Sequence, residues 1–182
     1  VKTARHLWLD LEDTIITPVL NGWFNVQLMN IVKVRQVIKE FEPDYVHIFS
    51  FAIWDQAQLH GFNTLLRDHL ERALGVEFSV VPTVDDDILP RCCKVAGIHR
   101  DTVSFLEMSD FWGKHEAFRL FMRSTYANMQ PDVSVDVMLL DDSVINESFN
   151  WPDLRISGRI FNIEKPICLQ PSSQPIWTPR TA

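Results

Sequence analysis

Apolar positions recur along this chain with two periods, and the switches between them predict its elements. A short apolar run, His6–Leu9, reads as a first strand. Val19-Leu20-Asn21-Gly22-Trp23-Phe24 sets an Asn-Gly pair between apolar flanks, which predicts a tight hairpin. Residues 26–41 carry Gln27, Asn30, Lys33, Gln36 and Lys39 on one side, against Leu28, Ile31, Val34 and Ile38 on another. That spacing predicts an amphipathic helix. Tyr45–Phe49 reads as a second strand. A helix is expected over Gln56–Leu74, where Leu59, Phe62, Leu66, Leu70 and Ala73 recur, with Gly75 as its terminator. Phe78–Val81 reads as a third strand. Residues 84–112 are irregular in pattern, with Asp85-Asp86-Asp87 expected as a solvated turn and a short strand at Val103–Leu106. Lys114–Tyr126 is helical in pattern, with Ala117, Phe118, Phe121 and Met122 inward. Val133–Leu140 then reads as a strand that ends in Asp141-Asp142, and Arg159–Ile163 as the last strand.

Strands alternating with helices predict an α/β domain with a mostly parallel sheet covered on both faces. Residues 1–168 form that domain in this reading, and 169–182, rich in Pro, Ser and Thr, an irregular tail pinned by Trp177. In such sheets ligands gather beyond the carboxyl ends of the strands, at the switch in strand order. Asp10, Ser50 and Asp141-Asp142 each follow an apolar strand, so three strands deliver polar groups to one edge.

Composition narrows the classes. The chain has 182 residues, enough for one sizeable core, with ordinary hydrophobic and charged content. A net charge of −7 argues against general nucleic-acid coating, which needs an excess of Lys and Arg. Three cysteines, Cys92, Cys93 and Cys168, show no metal-ligand spacing and read as free thiols of a reducing cytosol. No run reaches the ~18 apolar residues of a membrane span, and no signal-peptide core is visible. A cytoplasmic protein without membrane contact is the expectation.

The candidate chemistry lies in Asp10-Leu11-Glu12-Asp13-Thr14, directly after Leu7-Trp8-Leu9. Carboxylates at the end of a buried strand require compensation, which a divalent cation provides. Phosphoryl transfer needs a nucleophile, neutralisation of the transferring oxygens and a proton donor. Asp10 suits the nucleophile, Asp142 with Asp141 completes an acidic metal cage, and Ser50 can donate to a phosphate oxygen. Lys114 adds positive charge at a helix start, with Lys94 the competing candidate.

This ordered set resembles the four motifs of the haloacid dehalogenase (HAD) superfamily of phosphatases. Asp10–Thr14 matches the first, Phe49-Ser50 the second, Gly113-Lys114 the third and Leu139-Leu140-Asp141-Asp142 the fourth. The Asn21-Gly22 hairpin falls where that family carries a flap. The resemblance spans about residues 5–165. It implies a Rossmann-like three-layer sandwich with helices on both faces of the sheet, and a Mg²⁺-dependent phosphomonoester phosphatase working through an aspartyl-phosphate on Asp10. It further implies Asp10, the Glu12 carbonyl, Asp142 and Asp141 as metal ligands, and Ser50 and Lys114 as phosphate binders. Spacing leaves room for a small cap at most, so the mouth should be open. Large phosphorylated substrates fit an open mouth: nucleotides, nucleic-acid ends or phosphoproteins, with homo-oligomerisation as one way to close it.

Glu12 departs from the motif, where an Asp serves as acid/base. Its extra methylene moves the carboxyl group by roughly 1 Å, and misplacement on that scale can cost ~10²-fold in rate. The alternative reading is therefore a weakened module that binds phosphate or a partner without turnover. His47, between Val46 and Ile48, reads as a core histidine, while Trp23 and Trp54 are candidates to rim a substrate pocket. Repulsion within Asp141-Asp142 predicts that removing either carboxylate stabilises the metal-free fold.

Overall fold

The computed structural model describes residues 2–169, with backbone alone at Phe105, Leu106 and Ser109. Five strands form one sheet: β1 (Lys2–Leu9), β2 (Tyr45–Ile48), β3 (Val133–Asp141), β4 (Glu147–Trp151) and β5 (Ile156–Asn162). Their order across the sheet is β2-β1-β3-β5-β4. All neighbours are parallel except β4, which returns antiparallel beside β5 as an edge strand that the hydropathy pattern does not reveal. The fold class is thus α/β with a mostly parallel sheet, as expected.

Alternate strand residues feed two cores, as the period of two requires. Trp8, Val135, Val137, Leu139, Ile156 and Ile160 enter one core. There they meet α4 (Leu89–Ala96) and α6 (Gly113–Thr125). Leu7, Leu9, Val46, Ile48, Met138 and Leu140 enter the other. Its helical side comes from α1 (Ile31–Phe41), α2 (Gln56–Leu65) and α3 (Arg67–Leu74).

Several local expectations are corrected. The Asn21-Gly22 pair does not turn a tight hairpin. The excursion is wider, pinned by Thr17 N–H to the Gln27 carbonyl and Met29 N–H to the Ile15 carbonyl, with a single turn of 3₁₀ helix at Trp23–Asn25 inside it. Because residues 27–29 spend their backbone groups on that pairing, α1 starts at Ile31 rather than 26. The long helix over 56–74 is two helices, interrupted at Leu66 with φ −129°. Gly75 terminates the second in the left-handed region, as expected. Phe78–Val81 runs beside β2 through Ser79 N–H to the Val46 carbonyl and Ile48 N–H to the Val80 carbonyl, but forms one bridge, not a strand. Val80 N–H turns instead to the His47 ring.

No strand forms at Val103–Leu106 either. Ser104 and Glu107 make half of a capping box, with Ser104 N–H and Oγ both donating to the Glu107 carboxylate. That arrangement starts α5 (Phe105–Phe111). The sequence Ser-x-x-Glu is the signal that outranks the local apolar run. Asp85-Asp86-Asp87 lies in a single wide helical turn, Val84–Ile88, rather than a plain solvated turn. Asp87 accepts from Thr83 N–H, and Asp86 from the Gln56 side chain. Val84, Ile88, Leu89, Cys92, Cys93, Val103 and Met108 are buried in the first core, so residues 84–112 are part of the domain body. Leu169 packs into the second core, one residue inside the segment read as a tail. Trp177 and the rest of that segment lie outside the described residues. No helix among the described residues is long and apolar enough to cross a membrane.

Candidate active site

β1 has neighbours on both sides that are reached by different crossovers, so its carboxyl end is the switch in strand order where ligands gather. The backbone ladder continues past the strand ends. Asp10 N–H donates to the Leu140 carbonyl, Phe49 N–H to the Leu9 carbonyl and Ile163 N–H to the Asp141 carbonyl. These bonds hold Asp10, Ser50 and Asp141 at one edge of the sheet.

There the side chains converge. One oxygen each from Asp10, Asp141 and Asp142 lies within 4.8 Å of the others. Lys114 Nζ, from the first turn of α6, sits 3.0 Å from Asp10 Oδ1 and 3.0 Å from Asp141 Oδ2. Gly113 has φ +74°, a conformation that admits glycine readily, and so lets the chain turn into α6 immediately before Lys114. The Phe51 ring lies under the ammonium, 4.4 Å from its centroid. Lys94, the competing candidate, is exposed on α4.

Burial drives the Asp10 carboxyl from its usual 3.8 up to about 7; Lys114 pulls it down and Asp141 pushes it up. For Lys114 burial alone would lower the value, but Asp10 and Asp141 overcome it and hold the ammonium above its ordinary range. Asp142 is raised by partial burial and then by Asp141. Three carboxylates face one ammonium, which leaves an unbalanced negative site whose oxygens suit a hard divalent cation.

The two neighbouring acids differ in how they are held. Asp141 Oδ1 accepts from both the backbone N–H and the hydroxyl of Ser143 at 2.8 Å, while Oδ2 faces Lys114. Asp142 receives a long 3.5 Å contact from Thr14 Oγ1, whose shorter bond, 3.1 Å, goes to Asp10 Oδ2, and its carboxyl group also hydrogen-bonds with Asp10. This corrects one expectation: removing Asp141 would strip Lys114 and Ser143 of a partner, so relief of repulsion remains an expectation for Asp142 alone.

Ser50 is buried at the end of β2, its Oγ accepting from Ala52 N–H at 3.2 Å. Glu12 is not drawn into the acidic cluster. Its carboxylate accepts from Val19 N–H at 2.8 Å, tying the first motif to the 17–27 excursion. Trp23, expected at a pocket rim, is instead a buried anchor that packs on Phe62 and donates to Gln58 Oε1. Trp54 is 39% exposed. The roles of Thr14, Ser143 and Phe51 escape a sequence reading, although an Asp side chain that bonds the backbone N–H two residues on is a known local turn signal.

His47 is the satisfied core histidine expected. Val80 N–H donates to its Nδ1, so its Nε2 carries the hydrogen and donates to His6 Nδ1 at 2.8 Å. Cys92 and Cys93 are buried free thiols, and Cys168 is an exposed one. No protein-family model, no curated protein and no solved structure matches this chain.

Proposed function

We propose that this protein is a Mg²⁺-dependent phosphomonoester phosphatase of the HAD type, working through an aspartyl-phosphate on Asp10. The single observation that carries the reading is the convergence of Asp10, Asp141, Asp142 and Lys114 at the switch in strand order. A bound Mg²⁺ would neutralise the surplus negative charge and that of a phosphoryl group. Asp10, Asp142 and, more peripherally, Asp141 are the residues that would hold it, together with the Glu12 carbonyl. Asp142 is the inner ligand in this reading because it lies just beyond the end of β3 and is the least buried of the three acids.

The chain's own residues supply the remaining chemistry. The Asp10 carboxylate attacks phosphorus, the bond to the leaving oxygen breaks, and water later hydrolyses the acyl phosphate. Lys114 and the Ser50 hydroxyl bind the phosphoryl oxygens, and the 3.1 Å Thr14 bond orients Asp10. Glu12 protonates the leaving oxygen once its carboxyl group is released from Val19 N–H. Val84, Ile88, Leu89, Cys92, Cys93, Val103 and Met108 bind the segment 84–112 to the first core, which agrees with a minimally capped site and a large phosphorylated substrate such as a nucleotide, a nucleic-acid end or a phosphoprotein. Free thiols agree with a reducing, cytoplasmic setting.

A phosphomonoester assay with and without Mg²⁺, on wild type and Asp10→Asn, tests the reading. Metal-dependent turnover that disappears in Asp10→Asn is expected; turnover that survives the substitution removes the nucleophile. The second reading, a module that binds phosphate or a partner without turnover, is favoured by the Glu12 bond to Val19 N–H. Binding without hydrolysis across a broad panel, combined with gain of activity in Glu12→Asp, would establish it.

A further inference from the structure

The Asp142 side chain is held by its bond with Asp10 and a long contact from Thr14, and its backbone is held from another strand, by Asn162. This residue ends β5, paired in register with Asp141. Its side-chain amide donates to two carbonyls of the loop after β3, Asp142 at 3.2 Å and Val144 at 2.9 Å. Its Oδ1 accepts from Glu164 N–H at 2.8 Å, and its own N–H donates to Asn146 Oδ1 at 2.7 Å. Both amide hydrogens and the amide oxygen are thereby engaged, and only Asn or Gln offers two donors and an acceptor on one neutral head. Val144 is buried in the first core and anchors the far side of the same loop.

We propose that Asn162 is the positioning residue for Asp142, fixing the loop 142–146 so that its carboxylate faces Asp10 and Asp141. The inference rests on the metal reading above and adds a residue on a different strand to it. Substitution of partners that orient metal ligands typically weakens metal affinity by about 10–100-fold. Asn162→Leu keeps the approximate volume and removes every side-chain hydrogen bond, whereas Asn162→Gln keeps the amide.

Calorimetric titration with MgCl₂ tests the idea, using wild type, Asn162→Leu, Asn162→Gln and Asp142→Asn, each first checked for a cooperative melt. Asn162→Leu is expected to bind Mg²⁺ at least ~10-fold more weakly than wild type, and Asn162→Gln to recover part of the loss. If Asn162→Leu does not fold, Asn146→Ala removes a single exposed contact of the clamp and should weaken Mg²⁺ binding by about threefold, a smaller effect of the same kind. Wild-type affinity in the folded Asn162→Leu protein, or in Asn146→Ala where that protein is used, overturns the clamp while leaving the metal site intact. No Mg²⁺ uptake by wild type overturns the metal reading itself and the clamp with it.

Discussion

Strand β1 borders two polar clusters, one half-buried and one buried, that solve the same physical problem in opposite ways. Near its middle, His6 and His47 are neutral and bonded to one another, with His6 stacked on Tyr45 and edge-on to Tyr126 and His47 tilted against Trp8. At its carboxyl end, three carboxylates meet one ammonium and retain surplus charge. In the first cluster no charge is left over, and both ring nitrogens of His47 have partners within the fold. The second is incomplete without something positive. A buried polar group is therefore informative about function when its charge is left unbalanced, and about structure when its hydrogen bonds close on themselves.

The largest expected effect breaks the second cluster. Lys114→Met leaves Asp10 and Asp141 buried without their cation, and loss of one partner of a buried pair costs about 3–5 kcal/mol. Urea unfolding of the metal-free variant should show that loss near neutral pH, with part of it recovered on adding Mg²⁺. An unchanged midpoint would mean that the acids do not depend on Lys114.

The pH dependence sharpens the contrast, because the two clusters titrate with opposite sign. Burial lowers His6 to about 4 and His47 to about 3, below the ordinary 6.5. Their contribution is fully present above 6.5 and is lost as pH falls through those lowered values. Asp10, raised to about 7, contributes below its ordinary 3.8 and loses that contribution as pH rises through about 7. Acidification should thus cost on the order of 2–3 kcal/mol through the histidines, offset in metal-free protein by Asp10. Unfolding midpoints from neutral to acid pH should fall less steeply in His47→Gln and more steeply in Asp10→Asn. Parallel curves for all three proteins would refute the assignment.

A smaller effect separates the neighbouring acids. Asp142→Asn should stabilise the metal-free protein by ~1 kcal/mol, since the repulsion from Asp141 that it relieves outweighs its bond with Asp10 and its long contact from Thr14. It should also reduce the Mg²⁺-induced rise in melting temperature. A melt equal to wild type both with and without Mg²⁺ would exclude Asp142 as a ligand. The smallest effect is that of Phe51→Leu, which removes the aromatic face under Lys114 and should cost ~0.5 kcal/mol by urea unfolding. Stability equal to wild type would show that the Phe51 face does not help to hold the ammonium.

What could be read from residues alone was whatever depends on local period and order. The α/β class, the strands around Leu7–Leu9, Val46–Ile48 and Val137–Leu140, and the helix after Gly113 follow from hydrophobic spacing. So does the delivery of Asp10, Ser50 and Asp141-Asp142 to strand ends, because parallel strands share one carboxyl edge. Lys114 could be preferred to Lys94 from its place at a helix start after Gly113, but its 3.0 Å contacts with Asp10 and Asp141 belong to the folded chain. The tertiary structure decided the features built from long-range partners. Residues 27–29 join residues 15–17 instead of opening α1, and β4 adds an antiparallel edge. Glu12 turns to Val19, and Asn162, 20 residues beyond Asp142, holds its loop. Periodicity reports which face of an element is apolar, and that face is set within a turn or two. Which hydrogen-bond donor completes a buried carboxylate or carbonyl depends on how strands distant in sequence come into register, and only the folded chain sets that.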